Sequence, residues 1–477
     1  MRHPDRHATP TRHNVKANAE QGIRVSAAPA PAYPATQRVW ALAWPIILSN
    51  ITVPLLGLVD TAVVGHLPES RYLAGVTLGA MLFSFLYWGF GFLRMGTTGL
   101  TSQAQGRDDA TAVRNLLGQA LVMALVIGGL LIVFSRPLTA LGLWLLDGSA
   151  EATAVARDYA VIRFLSAPAV LANYAILGWF LGQQNSRVTL AILVLTNSVN
   201  IVLDLLFVVG LGMASDGVAW ATVIADYTAL TLGLWLVRRQ LAELGGVFRR
   251  ERLWRLAAYR ELFQVNSQLF LRTLGLLFAL AFFTAQGASQ GDVVVAANAV
   301  LLQFIMLTSY SLDGFAQAAE ALTGRAIGRR DWNEFSAAVG AAARFSLLTT
   351  VAAMLCFTLG GTALIALLTD LPAVRETAAD YLPWMILMPA LAVWSYLLDG
   401  VFIGATATRE MRNSVFAGLI VYLPGWWLLT GPLGLGNLGL WLAFLLFTLV
   451  RSVTLGGYYL HYRRTRWSDR VEAIGHK

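Results

Sequence analysis

Apolar residues in this chain recur in runs of about twenty or more, separated by short polar stretches that carry most of the charge. A helix needs about 20 such residues to cross a bilayer, because in lipid every backbone amide must be paired inside its own segment. Twelve runs predict membrane helices, at about 40–65, 72–95, 113–135, 159–182, 188–211, 217–238, 262–285, 292–316, 337–359, 380–404, 413–432 and 437–460. Runs such as 120–134 do not alternate apolar with polar positions, which argues against β-barrel strands. The expected fold class is therefore an all-α polytopic membrane protein. Residues 1–37 hold no apolar run, so they read as a disordered cytoplasmic tail without the core of a cleavable signal peptide. His3, His7 and His13 belong to that solvated tail rather than to a metal site.

Composition agrees. Of 477 residues, 57% are hydrophobic and 13% charged, whereas soluble domains carry about 25% charge. A soluble multidomain enzyme and a disordered chain are both excluded on that balance. One cysteine, Cys356, allows neither an internal disulfide nor a cysteine metal cluster. The net charge of +8 raises the question of nucleic acid, and the placement of arginine answers it. Alternate loops carry Arg107 and Arg114, Arg187, the group from Arg238 to Arg255, then Arg325, Arg329 and Arg330, then Arg409 and Arg412, with Arg463, Arg464 and Arg466 at the end. The intervening loops hold only Arg71, Arg136, Arg157 and Arg375. By the positive-inside rule the rich set faces the cytoplasm, so both termini are cytoplasmic and the surplus charge is a topology signal. No nucleic-acid partner is expected.

The longest cytoplasmic segment divides the spans six and six. Sliding one half over the other by 222 residues superposes the 101–108 stretch TSQAQGRD on 323–330 TGRAIGRR, each placed in the loop after an even-numbered span. It also superposes Gly178 and Gly182 on Gly400 and Gly404, Arg187 on Arg409, Gly212 on Gly434 and Gly217 on Gly439. With six spans per repeat both halves share one orientation, so a pseudo-two-fold axis should run along the membrane normal with a path between the halves. The expected organisation is a tail (1–37), an N-lobe (38–240), a cytoplasmic linker (241–260), a C-lobe (261–462) and a second tail (463–477).

Charges inside the spans call for an explanation, since each costs at least about 2.5–3.5 kcal/mol at mid-bilayer. Span 1 holds Asp60 beyond Pro45 and Pro54. Span 5 holds Asn197, Asn200 and Asp204, spaced so that all three share one helical face. Burial makes both carboxyls plausible proton carriers; interhelical hydrogen bonding, or wetting near the outer interface for Asp60, is the alternative reading. The second half differs, with Asp313 and Glu320 around the end of span 8 and Asp399 in span 10, while Asp204 superposes on Trp426 and Asp60 on Phe282. Arg272, Arg94 and Arg451 are candidate partners for these acids, with Arg94 read as a structural residue that snorkels to the cytoplasmic edge. Asn197, Asp313, Asp399 and Arg272 are thus candidates for a substrate cavity or its polar network. No phosphate-binding glycine loop, zinc motif or nucleophile elbow is present, so neither an enzyme, an ATP-driven pump nor a bound metal or cofactor is implied.

Several stretches resemble the multidrug and toxic compound extrusion (MATE) transporters, and within them the DinF-like, DNA-damage-inducible branch. They are 49–67 (SNITVPLLGLVDTAVVGHL), 92–101 (FLRMGTTGLT), 200–204 (NIVLD), 310–316 (YSLDGFA), 397–406 (LLDGVFIGAT) and 410–414 (EMRNS). The resemblance implies a V-shaped pair of lobes that exports cationic or amphipathic organic compounds in exchange for H⁺ or Na⁺. It implies coupling roles for Asp60, Asn200, Asp204 and Thr222, with Pro45 as the point where helix 1 bends. Sodium-linked relatives carry acids on helices 7 and 10; here span 7 offers Arg272 instead, which favours H⁺. The expectation is a proton-coupled exporter, monomeric, in the bacterial cytoplasmic (inner) membrane, whose partners are the lipid bilayer, small amphipathic substrates and protons. A Na⁺-coupled drug exporter and a lipid-linked precursor flippase are the alternatives. The flippase requires a strongly cationic central cavity, for which the spans offer few arginines.

Overall fold

A computed structural model of the chain describes residues 34–65 and 69–465. Most of the first tail, with its three histidines, and the last twelve residues lie outside the described residues. Among the described residues the chain is helical, and its long helices, all but α1 apolar enough by length and composition to cross a membrane, are α1 (Ala35–Gly65), α2 (Arg71–Gly106), α3 (Ala110–Val133), α4 (Ala150–Gly182), α5 (Ser186–Gly210) and α6 (Ser215–Glu243) in the first half. The second half holds α7 (Leu256–Ala288), α8 (Asp292–Arg329), α9 (Trp332–Leu368), α10 (Pro372–Gly404), α11 (Thr408–Thr430) and α12 (Gly436–Thr465). Their lipid-facing surface is apolar, as at Leu359, Leu367 and Ile420, whereas Thr98, Ser102, Asn200 and Thr323 are turned inward. This inversion fits helices whose association in lipid relies on close packing and polar contacts.

The helices are interrupted where the sequence weakens them. α2 breaks at the turn Phe90–Gly91 inside a Gly-Phe-Gly segment, glycine being about 1 kcal/mol worse than alanine in a helix. α4 tightens to a 3₁₀ turn at Phe164–Ser166, just ahead of Pro168, which has no N–H to donate to the Phe164 carbonyl four residues back. α5 widens into a π-helix over Leu205–Gly210, directly after Asp204. α1 runs on through Pro45 and Pro54.

The 222-residue repeat is visible in backbone detail. Asp109 caps α3 by accepting from the Ala112 amide, and Asp331, its equivalent, caps α9 by accepting from Asn333 and Glu334. Left-handed residues recur in register: Asp108 (φ 56°) with Arg330 (57°), Gln184 (63°) with Thr406 (52°), Gly212 (68°) with Gly434 (62°). A β-carbon at Gly178 would strike the Arg94 carbonyl of α2, and one at Gly400 the carbonyl of Ala316 on α8, the same contact in the other half. Gly182 and Gly404 likewise press on the equivalent residues Thr101 and Thr323.

One correction concerns the polar motif. The 101–108 and 323–330 stretches were expected in loops, yet Thr101–Gly106 and Thr323–Arg329 are the last turns of α2 and α8. Their hydroxyl and amide groups are buried between the halves rather than solvated, so polarity marks an interface here and not a loop. The segment expected as a linker is partly helical too, with a short helix at Arg250–Trp254. It is tied to α3 by Arg114, which donates to the Leu241 and Gly245 carbonyls, and by Gln119 on the Ala258 carbonyl at 3.2 Å.

The halves touch each other from the arginine-rich end of the bundle, called here the basic end, to about mid-depth. Gly106 and Gly328 meet backbone to backbone, Gln103 donates to the Gly404 carbonyl (2.8 Å), Arg325 donates to Gln184 (3.2 Å) and Asn50 to the Tyr310 carbonyl (3.0 Å). Arg38 pairs with Glu334 at 2.6 Å. Because Gly400 has no room for a methyl group, Gly400→Ala should lower the thermal unfolding temperature in lipid nanodiscs by the equivalent of about 1–3 kcal/mol of overpacking. Gly360→Ala, which adds its methyl group to open space, should leave that temperature unchanged or slightly raised.

Candidate functional site

Two buried polar clusters lie within the spans, one in each half. The first lies where α5 passes between α1 and α6. Asp204, the last residue before the π-helical turn, is fully buried, and Asn200 one turn earlier is 1% exposed. The Asn200 amide donates to the Thr222 hydroxyl on α6 (3.2 Å), which itself donates to the Val218 carbonyl (3.0 Å). Asn197, on the same face, donates to Thr52 on α1 at 2.7 Å. Thr52 donates to the Ser49 carbonyl and Ser49 to the Pro45 carbonyl, each at 2.7 Å. One interhelical hydrogen bond, extended by two local ones through the Ser49 backbone, therefore relates the proline turn of α1 to the face of α5 that carries Asp204. Asp60 falls on α1, five residues before its end, and its side chain lies outside the described residues.

A π turn holds one more residue than an α turn, and such turns recur at functional sites because they re-aim side chains and loosen the local hydrogen-bond ladder. Here the widened turn begins immediately after the buried acid. Small rearrangements around Asp204 therefore meet a segment of α5 with less regular backbone support.

The second cluster belongs to the C-terminal half. Arg272 on α7 and Arg451 on α12 both donate to one carboxylate oxygen of Asp399 on α10, the Arg451 contact at 3.1 Å. Two guanidiniums thus share one carboxylate. Asp313 on α8 is half-buried and lies within electrostatic range of Arg94, Arg272 and Asp399, which brings the local charge back towards balance. The hydroxyls of Ser309 and Tyr396 are hydrogen-bonded beside it. Arg272, Asp313 and Asp399 are thus brought together, and Asn197 stands apart from them in the other half.

Arg94 differs from its expected placement. It does not reach for the edge of the bundle: its guanidinium lies 3.8 Å from Glu320 of α8, in the interior between the halves. Arg163 adds a fourth arginine to the three that the sequence places within the spans. Arg94, Arg163, Arg272 and Arg451 all lie within the spans, each facing a carboxylate, so the interior is charge-compensated rather than strongly cationic.

Sequence reading leaves out one pair altogether. Arg163 on α4 donates to Asp226 on α6 (3.1 Å) and to Ser166 (2.9 Å), with its guanidinium 5.2 Å from the Phe83 ring centre. Asn173 donates to the Asp226 backbone carbonyl at 3.1 Å. The signal was available: Asp226 is a lone acid well inside span 6, like the acids that drew attention to spans 1 and 5.

Comparison with known proteins adds the family context. The MatE family model matches residues 45–206 and 270–428, one block in each half. The DNA damage-inducible protein F of Escherichia coli (strain K12) is 44% identical over 438 residues, covering 90% of this chain and 93% of that protein. A crystal structure of a MATE protein in its bent conformation superposes with a TM-score of 0.83 at 18% identity, covering 92% of this chain and 98% of that one. A multidrug resistance MATE family transporter of the MOP superfamily in an outward-facing conformation gives a TM-score of 0.79 at 20% identity, over 93% and 98% of the two chains.

The shared carboxylate makes a stability prediction. Asp399→Asn removes the acid that holds two buried guanidiniums and should cost about 3–5 kcal/mol, read as a fall in the unfolding temperature. Replacing the whole set with apolar residues (Arg272→Met, Asp399→Leu, Arg451→Met) should cost less than the single change, because no uncompensated charge is then left in the interior. Equal or greater loss in the triple variant would contradict this account of the cluster.

Proposed function

The chain belongs to the MatE family of transporters, and on that premise we propose that it is a proton-coupled antiporter exporting amphipathic or cationic organic compounds by alternating access. It is a polytopic membrane protein and a transporter, not an enzyme. The setting proposed is the bacterial inner membrane, with the basic end and both termini in the cytoplasm according to the positive-inside rule. In that orientation the contacts between the halves lie towards the cytoplasm, which favours a resting arrangement open to the outside.

The observation that carries the coupling assignment is Asp204: a carboxyl group with no exposed surface, inside a span, next to the Asn200–Thr222 hydrogen bond and the start of the π turn. In the proposed cycle a proton enters from outside and neutralises Asp204, with Asp60 as its neighbour in role on α1. Neutralisation weakens the hydrogen bonds that relate Asn197, through Thr52 and Ser49, to Pro45, and α1 shifts where proline has already removed one backbone hydrogen bond. Substrate is released outward, and proton loss to the cytoplasm resets the lobes. Exchange follows from differential affinity, because a cationic substrate and a proton compete for the same negative charge. A pH difference of one unit supplies about 1.4 kcal/mol per proton, enough for about a tenfold gradient of a monovalent cation exchanged one for one.

Two observations weigh on the alternatives. Asp399 already has two guanidiniums on one oxygen, a poor setting for a sodium ion, and this supports H⁺ over Na⁺. Each buried arginine faces a carboxylate, which disfavours a lipid pyrophosphate as cargo. In proteoliposomes a cationic dye should drive proton movement that depends on pH and not on Na⁺. Asp204→Asn and Asp60→Asn should each reduce that coupled flux at least tenfold. Wild-type coupled flux in both variants would overturn the site assignment, and a strict Na⁺ requirement would overturn the choice of ion.

A further inference from the structure

The pseudo-two-fold axis can be located from contacts between residues that the repeat makes equivalent. Gly106 and Gly328 are such a pair, and a β-carbon on Gly106 would lie 3.0 Å from the Gly328 Cα. Ser102 and Gly324 are another, with the Ser102 hydroxyl filling the space a Gly324 side chain would need. Equivalent residues that touch must lie beside the axis, so the axis follows the contact between the last turns of α2 and α8. One step further from the basic end, the next such pair is Thr98 and Glu320, which also lie side by side.

The symmetry fails at this level. Glu320 is 1% exposed and faces Arg94, one turn before Thr98 on the opposite helix, whereas the equivalents of these two residues are Thr98 and Ala316. Thr98 donates its hydroxyl to the Arg94 carbonyl (2.9 Å), and Ala316 has nothing to offer. At this level beside the axis, among the described residues, one ion pair crosses where repetition would have made two, in addition to the Arg38–Glu334 pair nearer the basic end. The pair is also stretched. At 3.8 Å it is an electrostatic contact without a hydrogen bond, and Arg94 Nη1 and Glu320 Oε1 are buried with no hydrogen-bond partner. On one side lies the glycine contact; on the other, seven residues or about 10 Å along α8, lies Asp313. The pair thus sits beside the axis between the glycine contact and the polar cluster around Asp313.

We infer that Arg94 and Glu320 form an inter-lobe pin that sets the balance between the state closed at the basic end and the state open there, making them positioning residues for the transport cycle. When α2 and α8 separate, the two charges part. While that end is closed, losing Arg94 leaves Glu320 buried without its cation, and losing Glu320 leaves the part-buried Arg94 with only the more distant Asp313, so either loss penalises the closed state. Neither residue need touch substrate or the coupling ion. The inference rests on the reading that the two lobes alternate, but not on which ion drives them.

The test measures distances rather than transport, so a failed proton-coupling assignment would leave it interpretable. In a Cys356→Ser background, spin labels at Arg107→Cys and Asn333→Cys report the basic end, and labels at Glu151→Cys and Ala373→Cys report the far end, all four being exposed positions. Glu320→Gln in nanodiscs should increase the population with long basic-end distances about tenfold, equivalent to about 1.4 kcal/mol, and shorten the far-end distances. Arg94→Gln should shift both distributions the same way, and it carries the test should Glu320→Gln not fold. The charge swap Arg94→Glu with Glu320→Arg should return both distributions towards wild type, a rescue that a purely packing role would not give. Unchanged distributions in the single variants, or a swap no closer to wild type than either of them, would overturn the inference.

Discussion

The structure depends on the absence of side chains between α2 and α8. Gly106 and Gly328 let two backbones meet directly at the basic end, and each of α4 and α10 presses onto this pair through glycines of its own. Within lipid no hydrophobic gain comes from bringing helices together, so contact has to come from close packing and from hydrogen bonds that lipid cannot supply. A seam built this way is strong only at near-zero separation. That makes it bistable: the halves are either seated against one another or apart, with little stability in between. The buried acids Asp204 and Asp399 lie beyond this seam, each packed within its own lobe.

The two lobes use this shared frame differently. The first carries separate hydrogen bonds from α5 to α1 and to α6, with one buried carboxyl at the point where the helix changes pitch. The second carries a compact salt-bridged cluster, Arg272 and Arg451 on Asp399, of the kind that resists taking up another cation. A duplicated fold has thus kept its caps, its left-handed turns and its glycine contacts while its charges diverged. Conformational geometry is shared, and chemistry is not.

Much of this was legible in the sequence. Span positions followed from run length, and the repeat from glycines at one offset, because those residues answer to the bilayer and to the backbone. The Asn197–Asn200–Asp204 face followed from helical spacing alone. What sequence could not supply was who faces whom across long separations. The Arg94–Glu320 contact joins residues in different halves, and only the packing of α2 on α8 shows that Arg94 points inward rather than to the membrane edge. The buried ends of α2 and α8 looked like loops because serine, threonine and glutamine are common in loops; the same residues serve as interface polar groups when glycine brings two helices this close. Arg163 and Asp226 were readable as isolated charges, but their pairing required knowing that α4 and α6 are neighbours.

The lone charge pair beside the axis has a meaning for how such a protein can be assembled. Two identical six-helix halves related by a true two-fold axis carry every contact twice or not at all. A single arginine facing a single glutamate, with threonine and alanine in the mirrored places, is available only to halves that differ in sequence. Joining the halves in one chain allows each to mutate without its twin, so the fused polypeptide can hold an uneven set of contacts at the centre of an even fold.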